Sequence, residues 1–282
     1  MSSIAVIGSV NLDLVATVKK LPAPGETVTD AELSRFPGGK GANQALAAQR
    51  LGANVQLIAC VGEDAAADEA LLLLSEGGVD LSGVQRIAGM PTGTALIAVA
   101  ASGENHIVVA PGANRRLLPD VVEIPHTEAL ICQLEVPADS VARAAANFAG
   151  FFCVNLAPAK HVDVSILQRA DLIVVNEVEA AWYGDSLSAA SGMIVTTVGA
   201  AGATISKGGE DIAVARPPRV DAVDTTAAGD SFTAALTVAL VEGQSPQEAL
   251  EFACAAGAAA CTKLGAQPSL PTREDVTSLR RA

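Results

Sequence analysis

Strand-length apolar runs alternate with helical stretches along most of this 282-residue chain, and that rhythm leaves few folds open. Residues 4–7, 55–60, 130–133, 152–155, 172–175 and 194–197 form short runs dominated by aliphatic side chains. Strands that are apolar without alternation belong to parallel sheets covered on both faces. Between them 42–51, 65–76, 140–149 and 164–169 read as helices, and 229–241, 246–262 and 272–279 close the chain. This order predicts an α/β fold, a three-layer α/β/α arrangement around a mostly parallel sheet. The stretch 180–193 is short for a crossover, so a truncated helix is expected there. Apolar residues make up 50% of the chain but aromatics only 3%, so the helices must pack on the sheet through small aliphatic side chains.

Two stretches break the rhythm. Residues 12–18 with 26–30, and 84–88 with 94–108, alternate like antiparallel strands with no helix between them. They predict a small antiparallel β-sheet lid over the carboxyl ends of the parallel strands, where ligands of α/β sheets bind. The core then comprises residues 1–10, 38–83 and 111–282, and the lid 11–37 and 84–110. A sheet this small has one apolar face too many. A second subunit covering that face makes a homodimer the expected state.

The formal charge of −13 argues against nucleic acid or an anionic membrane as partner. No charge-free apolar stretch approaches the ~18 residues that a spanning helix needs. Cys60, Cys132, Cys153, Cys254 and Cys261 are scattered and form no CxxC pair, so they read as buried reduced thiols. The amino-terminal residues read as a first strand rather than a signal peptide, and the expected compartment is the cytoplasm. His106, His126 and His161 share no metal-ligand spacing, and Trp182-Tyr183 reads as packing.

Chemistry concentrates in Asp224-Thr225-Thr226-Ala227-Ala228-Gly229-Asp230, just before an apolar helix. Small residues at a helix start leave backbone N–H groups bare, and with the helix dipole these suit an anion such as phosphate. An acid in that turn would repel a resting phosphate. It makes sense as a base that strips a hydroxyl as the hydroxyl attacks phosphorus, the arrangement of phosphoryl transfer.

Gly38-Gly39-Lys40-Gly41-Ala42-Asn43 precedes another helix and lacks both the GxxxxGK(S/T) and GxGxxG spacings. It fits a plain turn or a close approach to a hydroxyl-rich ligand, with Lys40 and Asn43 as donors. Asn11 and Asp13 follow the first strand at i and i+2; they suit neighbouring hydroxyls, or an Asx turn. Glu135 lies just past strand 130–133, as a solvated loop acid or a site acid. Asn176 and Glu179 open a helix, where acids complement the dipole or bind metal-held water. Thr197-Val198-Gly199-Ala200-Ala201-Gly202 joins two strands with glycines that let a nucleotide lie against backbone, or that simply turn the chain.

Together these motifs resemble the ribokinase family of carbohydrate kinases (the PfkB type), its bacterial members most closely. The resemblance runs from Ile4 to about Pro271 and rests on the glycine-rich and Asp224–Asp230 signatures in order. Gly52, Gly62, Pro24-Gly25-Glu26-Thr27, Gly112-Ala113-Asn114, Gln133-Leu134-Glu135, Asn155-Leu156-Ala157-Pro158 and Gly265-Ala266-Gln267-Pro268-Ser269 add to it.

The resemblance implies an ATP-dependent kinase acting on a sugar's primary hydroxyl, with Asp230 as base and Ala227, Ala228 and Gly229 as anion hole. It implies D-ribose held by Asn11, Asp13, Gly39, Lys40, Gly41, Asn43, Glu135 and Asp230. ATP would lie along Asn176, Glu179, Thr197 to Gly202 and Gly229, with Asn176 and Glu179 arranging Mg²⁺. It further implies K⁺ held by Asp224, Thr226, Ala260, Lys263, Gly265 and Ser269, mostly through carbonyls. Cys254 departs from the pattern, standing where a relative has histidine near adenine. The alternatives are 2-deoxyribose, fructose or a nucleoside as acceptor, or a non-catalytic sugar-binding regulator. Polar Asn11, Asp13, Lys40, Asn43 and Glu135 favour a pentose, and the intact Asp230 turn favours catalysis.

Overall fold

The computed structural model describes residues 1–281. Its strands are β1 (Ser3–Ile7), β2 (Asn11–Val18), β3 (Glu32–Gly38), β4 (Asn54–Gly62), β5 (Asp80–Ile87), β6 (Gly93–Ala100) and β7 (Asn105–Ala110). They continue with β8 (Ala129–Gln133), β9 (Phe151–Asn155), β10 (Leu172–Asn176), β11 (Met193–Thr197), β12 (Ala203–Lys207) and β13 (Glu210–Ala215). The helices are α1 (Lys40–Arg50), α2 (Ala65–Glu76), α3 (Ala138–Asn147), α4 (Val164–Arg169), α5 (Glu177–Tyr183), α6 (Ala228–Val241), α7 (Pro246–Ala260), α8 (Ala266–Ser269) and α9 (Arg273–Arg281).

The large sheet runs β13-β12-β11-β10-β9-β8-β1-β4-β5. Every pairing from β5 across to β11 is parallel, and only the β11/β12 and β12/β13 pairings are antiparallel. Successive residues of a strand face opposite sides, and β1 shows it. Ile4 and Val6 join a core with α1, α2, α6 and α7, whereas Ala5 and Ile7 join the α3 and α4 side. Three layers follow, as the sequence predicts. The short crossover appears too, since α5 gives way to a 3-10 turn over Gly184–Ala189 before β11.

A separate four-stranded sheet has the order β3-β2-β6-β7. Its outer pairs β2/β3 and β6/β7 are antiparallel, while the central pair β2/β6 is parallel. Its membership differs from expectation at two places. Residues 26–30 carry no strand, because a turn at Gly25 takes the chain back: Glu26 N–H donates to the Ala23 carbonyl and Ala23 N–H to Glu26. The strand lies later, at β3, and residues 84–88 do not join the small sheet either. Most of them sit in β5, the parallel edge of the large sheet, where partial exposure gives the strand an alternating look. Only three residues separate β1 from β2, and one separates β3 from α1. These two of the four crossings between the sheets therefore lie at the carboxyl end of central strand β1.

Candidate active site

Helix α6 starts without a side-chain cap. The N–H groups of Ala227, Gly229 and Asp230 meet no acceptor among the described residues, while Ala228 N–H donates to the Thr225 carbonyl at 3.2 Å. Apart from its chain neighbours and its own helix backbone, nothing stands within 4 Å of the point where a Gly229 Cβ would sit. Open amides facing open space at a helix N-terminus form a place for an anion.

Asp230 lies in this first turn and is only 5% exposed. Its Oδ2 accepts from Asn43 Nδ2 at 2.8 Å and its Oδ1 from Gln44 Nε2 at 2.9 Å, both on α1. Burial pushes its pKa up; Lys40 and the two amides oppose this, and Glu135 adds to it. Its partners hold the carboxylate without a direct ion pair.

The amino end of α1 meets β1 and β2 closely. Gly39 has φ +91°, and a Cβ there would stand 2.7 Å from the Asn11 nitrogen. A Cβ on Gly41 would stand 2.5 Å from the Gly8 carbonyl carbon. These glycines let Lys40 and Asn43 enter the cluster. Glu135 Oε2 accepts from Ser9 Oγ (2.6 Å), Lys40 N–H (3.2 Å) and Asn11 Nδ2 (3.4 Å). Asn114 Nδ2 donates to Asn11 Oδ1 at 2.8 Å and fixes that amide. Asn43 Oδ1 is buried with no partner among the described residues, so an acceptor is left for a ligand.

Two charges here are displaced. Burial raises the Asp13 carboxyl to about 7, with Glu135 and Asp230 adding their repulsion. Burial lowers the Lys40 ammonium, but Asp230, Glu135 and Glu179 outweigh it and the net direction is up. Asn11, Asp13, Gly39, Lys40, Gly41, Asn43, Glu135 and Asp230 thus form one polar cluster beneath β2.

On the other side of Gly229 opens a cleft of about 640 Å³. Thr197, Gly199, Ala200, Gly202 and Gly229 line it, with Phe232, Val220 and Cys254. Val198 and Ala201 hold its turn: Val198 N–H donates to Gly202 and Ala201 N–H to Val198. Burial pushes the Cys254 thiol up to about 11, with Glu251 adding, so it is a small neutral wall rather than a stacking group. Asn176 and Glu179 stand apart from this lining and cap α5 reciprocally, at 2.8 and 2.9 Å. Burial raises the Glu179 carboxyl and Asp230 adds to it; its bond from Asn176 and Lys40 work against this.

The Asp224–Asp230 turn is tied to the loop before α8. Asp224 accepts from Thr226 N–H (2.9 Å) and Gly265 N–H (2.9 Å), and Val223 N–H donates to the Cys261 carbonyl at 2.8 Å. This brings Asp224 and Thr226 to the segment holding Ala260, Lys263, Gly265 and Ser269. Reading residues one motif at a time missed Ser9, Gln44 and a site role for Asn114, Gln133 and Asn155. The available signal was a polar side chain at the carboxyl end of an apolar strand or inside an otherwise small-residue helix face.

A buried carboxylate beside free amides, between a polar cluster and a cleft of about 640 Å³, is the arrangement expected of a phosphotransferase on a lidded α/β core. The comparisons agree. The family model described as pfkB family carbohydrate kinase matches residues 1–273. The chain is 38% identical to a ribokinase of Haemophilus influenzae, covering 97% of this chain and 96% of that one. A crystal structure of a Thermotoga maritima ribokinase superposes with TM-score 0.91 at 32% identity, covering 100% of both chains. A ribokinase of Arabidopsis thaliana complexed with ribose and ATP gives 0.88 at 27% identity, over 100% of this chain and 99% of that one. This chain belongs to the pfkB family of carbohydrate kinases.

Proposed function

We propose that the chain transfers the γ-phosphoryl group of ATP to the primary 5-hydroxyl of D-ribose, giving ribose 5-phosphate and ADP. One observation carries this reading: Asp230 is a buried carboxylate held by two neutral amides, with open N–H groups next to it at the start of α6. Asp230 takes the hydroxyl proton as the oxygen attacks phosphorus. The free amides of Ala227 and Gly229, joined by that of Ala228 when its 3.2 Å bond yields, meet the charge on the transferring group. Such transfer needs alignment and charge stabilisation more than covalent help, and losing one such donor raises the barrier by ~2.7–4 kcal/mol.

Asn11, Asp13, Gly39, Lys40, Gly41, Asn43 and Glu135 offer the mix of donors and acceptors that a pentose's neighbouring hydroxyls require. ATP is assigned to the cleft along Thr197 to Gly202 and Gly229. Asn176 and Glu179 would hold Mg²⁺ through bound water, since Glu179 keeps one carboxylate oxygen outside its cap, and the ion would supply charge to offset the phosphates. For K⁺, the two tied segments offer carbonyl and hydroxyl oxygens, the ligands a hard cation takes. Asp224, Thr226, Ala260, Lys263, Gly265 and Ser269 are the residues assigned to it.

The surface of the small sheet supports a homodimer formed through it. Leu33, Ile107 and Val108 are each more than half exposed, and β7 is an exposed edge strand reading Asn-His-Ile-Val-Val-Ala. A second copy would cover it. No helix is long and apolar enough to cross a membrane among the described residues. The five cysteines are free, which supports the cytoplasm as compartment.

The test is a panel of D-ribose, 2-deoxyribose, fructose and adenosine with ADP release coupled to a spectrophotometric readout. D-Ribose should show the highest kcat/KM, and another acceptor ranking first would overturn the assignment.

A further inference from the structure

A chain of buried amides stands behind Asp230. Gln133, at the carboxyl end of β8, donates from Nε2 to Gln44 Oε1 at 2.7 Å. Gln44 donates from Nε2 to Asp230 Oδ1 at 2.9 Å and to Asn155 Oδ1 at 3.2 Å. Asn155, at the end of β9, is turned by its own Nδ2 donating to the Val174 carbonyl of β10 at 3.1 Å. Gln44 and Gln133 are both 0% exposed.

Each bond settles the orientation of the next amide. Gln133 presents a donor, so Gln44 must turn its oxygen toward it and its nitrogen toward Asp230. Asn155 presents an acceptor and enforces the same choice. A flipped Gln44 would put oxygen against carboxylate. Gln133 Oε1, meanwhile, is buried without a partner among the described residues. A half-satisfied buried amide is a net cost to folding, so its place here is better explained by what it does to Gln44.

We propose that Gln133 and Gln44 form a positioning relay, anchored at the carboxyl end of β9 through Asn155, that fixes the orientation and basicity of the Asp230 carboxylate for phosphoryl transfer. The proposal rests on the reading of Asp230 as the base. A lysine or arginine in place of Gln44 would hold the carboxylate too firmly ionised to accept a proton; a neutral amide orients it and lowers its basicity only modestly. The charged groups facing Asp230 are Lys40 on α1, Asp13 on β2, Glu135 after β8 and Glu179 on α5. All of them remain in the variants below.

Gln133→Met keeps length and apolar bulk two hydrogen bonds away from the reacting atoms. In the full-length enzyme with D-ribose and ATP, kcat should fall about tenfold while both KM values stay within about twofold, the pattern of an interaction used only in the transition state. The acid limb of the kcat–pH profile should move to higher pH, because Asp230 loses a well-aligned donor, and Tm should change by no more than a few degrees. Gln44→Met should show the same limb shift with a larger rate loss; if it does not fold, Gln133→Met carries the test. Parent-like kcat and acid limb in Gln133→Met would overturn the relay. So would a slower enzyme whose acid limb stays in place, the mark of a packing role. Asp230→Asn is assayed in parallel. If it is inactive while Gln133→Met behaves as the parent, the relay alone fails. If Asp230→Asn keeps its turnover, the base assignment fails and the relay falls with it.

Discussion

In the large sheet the central strands are buried on both faces, β1 and β8 almost without exposure, whereas β7 of the small sheet is exposed at each of its six residues. The first sheet completes its core within one chain; the second does not. The site draws on both. Asp230, Gln44 and the open amides stand on core helices, while Asn11 and Asp13 come from β2 of the small sheet. Under the proposed function, transfer chemistry rests on the core, and sugar capture is shared between Lys40, Asn43 and Glu135 of the core and Asn11 and Asp13 of the small sheet. Variants in the two regions should therefore fail differently, the first in turnover and the second in binding or assembly.

The largest effect should come from the core side. Gly229→Val puts its Cβ into the open space over the α6 amides, where no atom apart from its chain neighbours and its own helix backbone lies within 4 Å. Turnover should drop by ~10²–10³, the range seen when an anion-hole donor is lost, with sugar affinity by calorimetry unchanged. Equal losses in sugar affinity would blur the division between the two regions. On the lid side, Asp13→Ala removes charge-assisted bonds worth about 1.5–3 kcal/mol. The KM for ribose should rise roughly ten- to a hundredfold with kcat nearly kept, and a kcat-only defect would break the comparison.

Assembly is the next test. Ile107→Lys puts a charge on the exposed edge strand, and light scattering should show a monomer whose Tm is within a few degrees of the parent's once both are undimerised. A dimer persisting unchanged would remove the small sheet as interface.

The smallest effect is a pH dependence. With its carboxyl raised to about 7 by burial, folded Asp13 keeps a proton that the unfolded chain has already released above about pH 4. Stability of the ligand-free protein should therefore fall as pH rises from about 4 through 7 and stay lower above that. Sugar hydroxyls donating to the carboxylate favour its charged form, so ribose affinity should rise over the same range. Asp13→Asn should flatten both trends. A parent–variant Tm difference that does not change between pH 5 and 8 would contradict the assignment.

The same contrast explains what was legible in the sequence. β1, β4, β8, β9 and β10 read directly because strands buried on both faces cannot alternate. β5 was misplaced since it is an edge, and partial exposure gave it the period of a lid strand. β3 escaped because Ser34, Arg35 and Pro37 break any apolar period, and its place is set by pairing with β2 rather than by local preference. In the site, Asp230 and the glycine-rich turn stood out because helix starts with bare amides need small residues. Gln44 and Gln133 did not, since an amide inside an apolar run has no local meaning. Only the fold shows that Gln133 of β8 reaches Gln44 of α1, which in turn holds the Asp230 carboxylate.

The most direct measurement is single-turnover phosphorylation of D-ribose by Asp230→Asn, with ATP and ribose binding followed by calorimetry on the same sample. Both ligands should bind within a few-fold of the parent while the transfer rate falls by ~10²–10⁴, the usual worth of a general base. A variant that binds both and still transfers at more than a tenth of the parent rate would contradict Asp230 as the base.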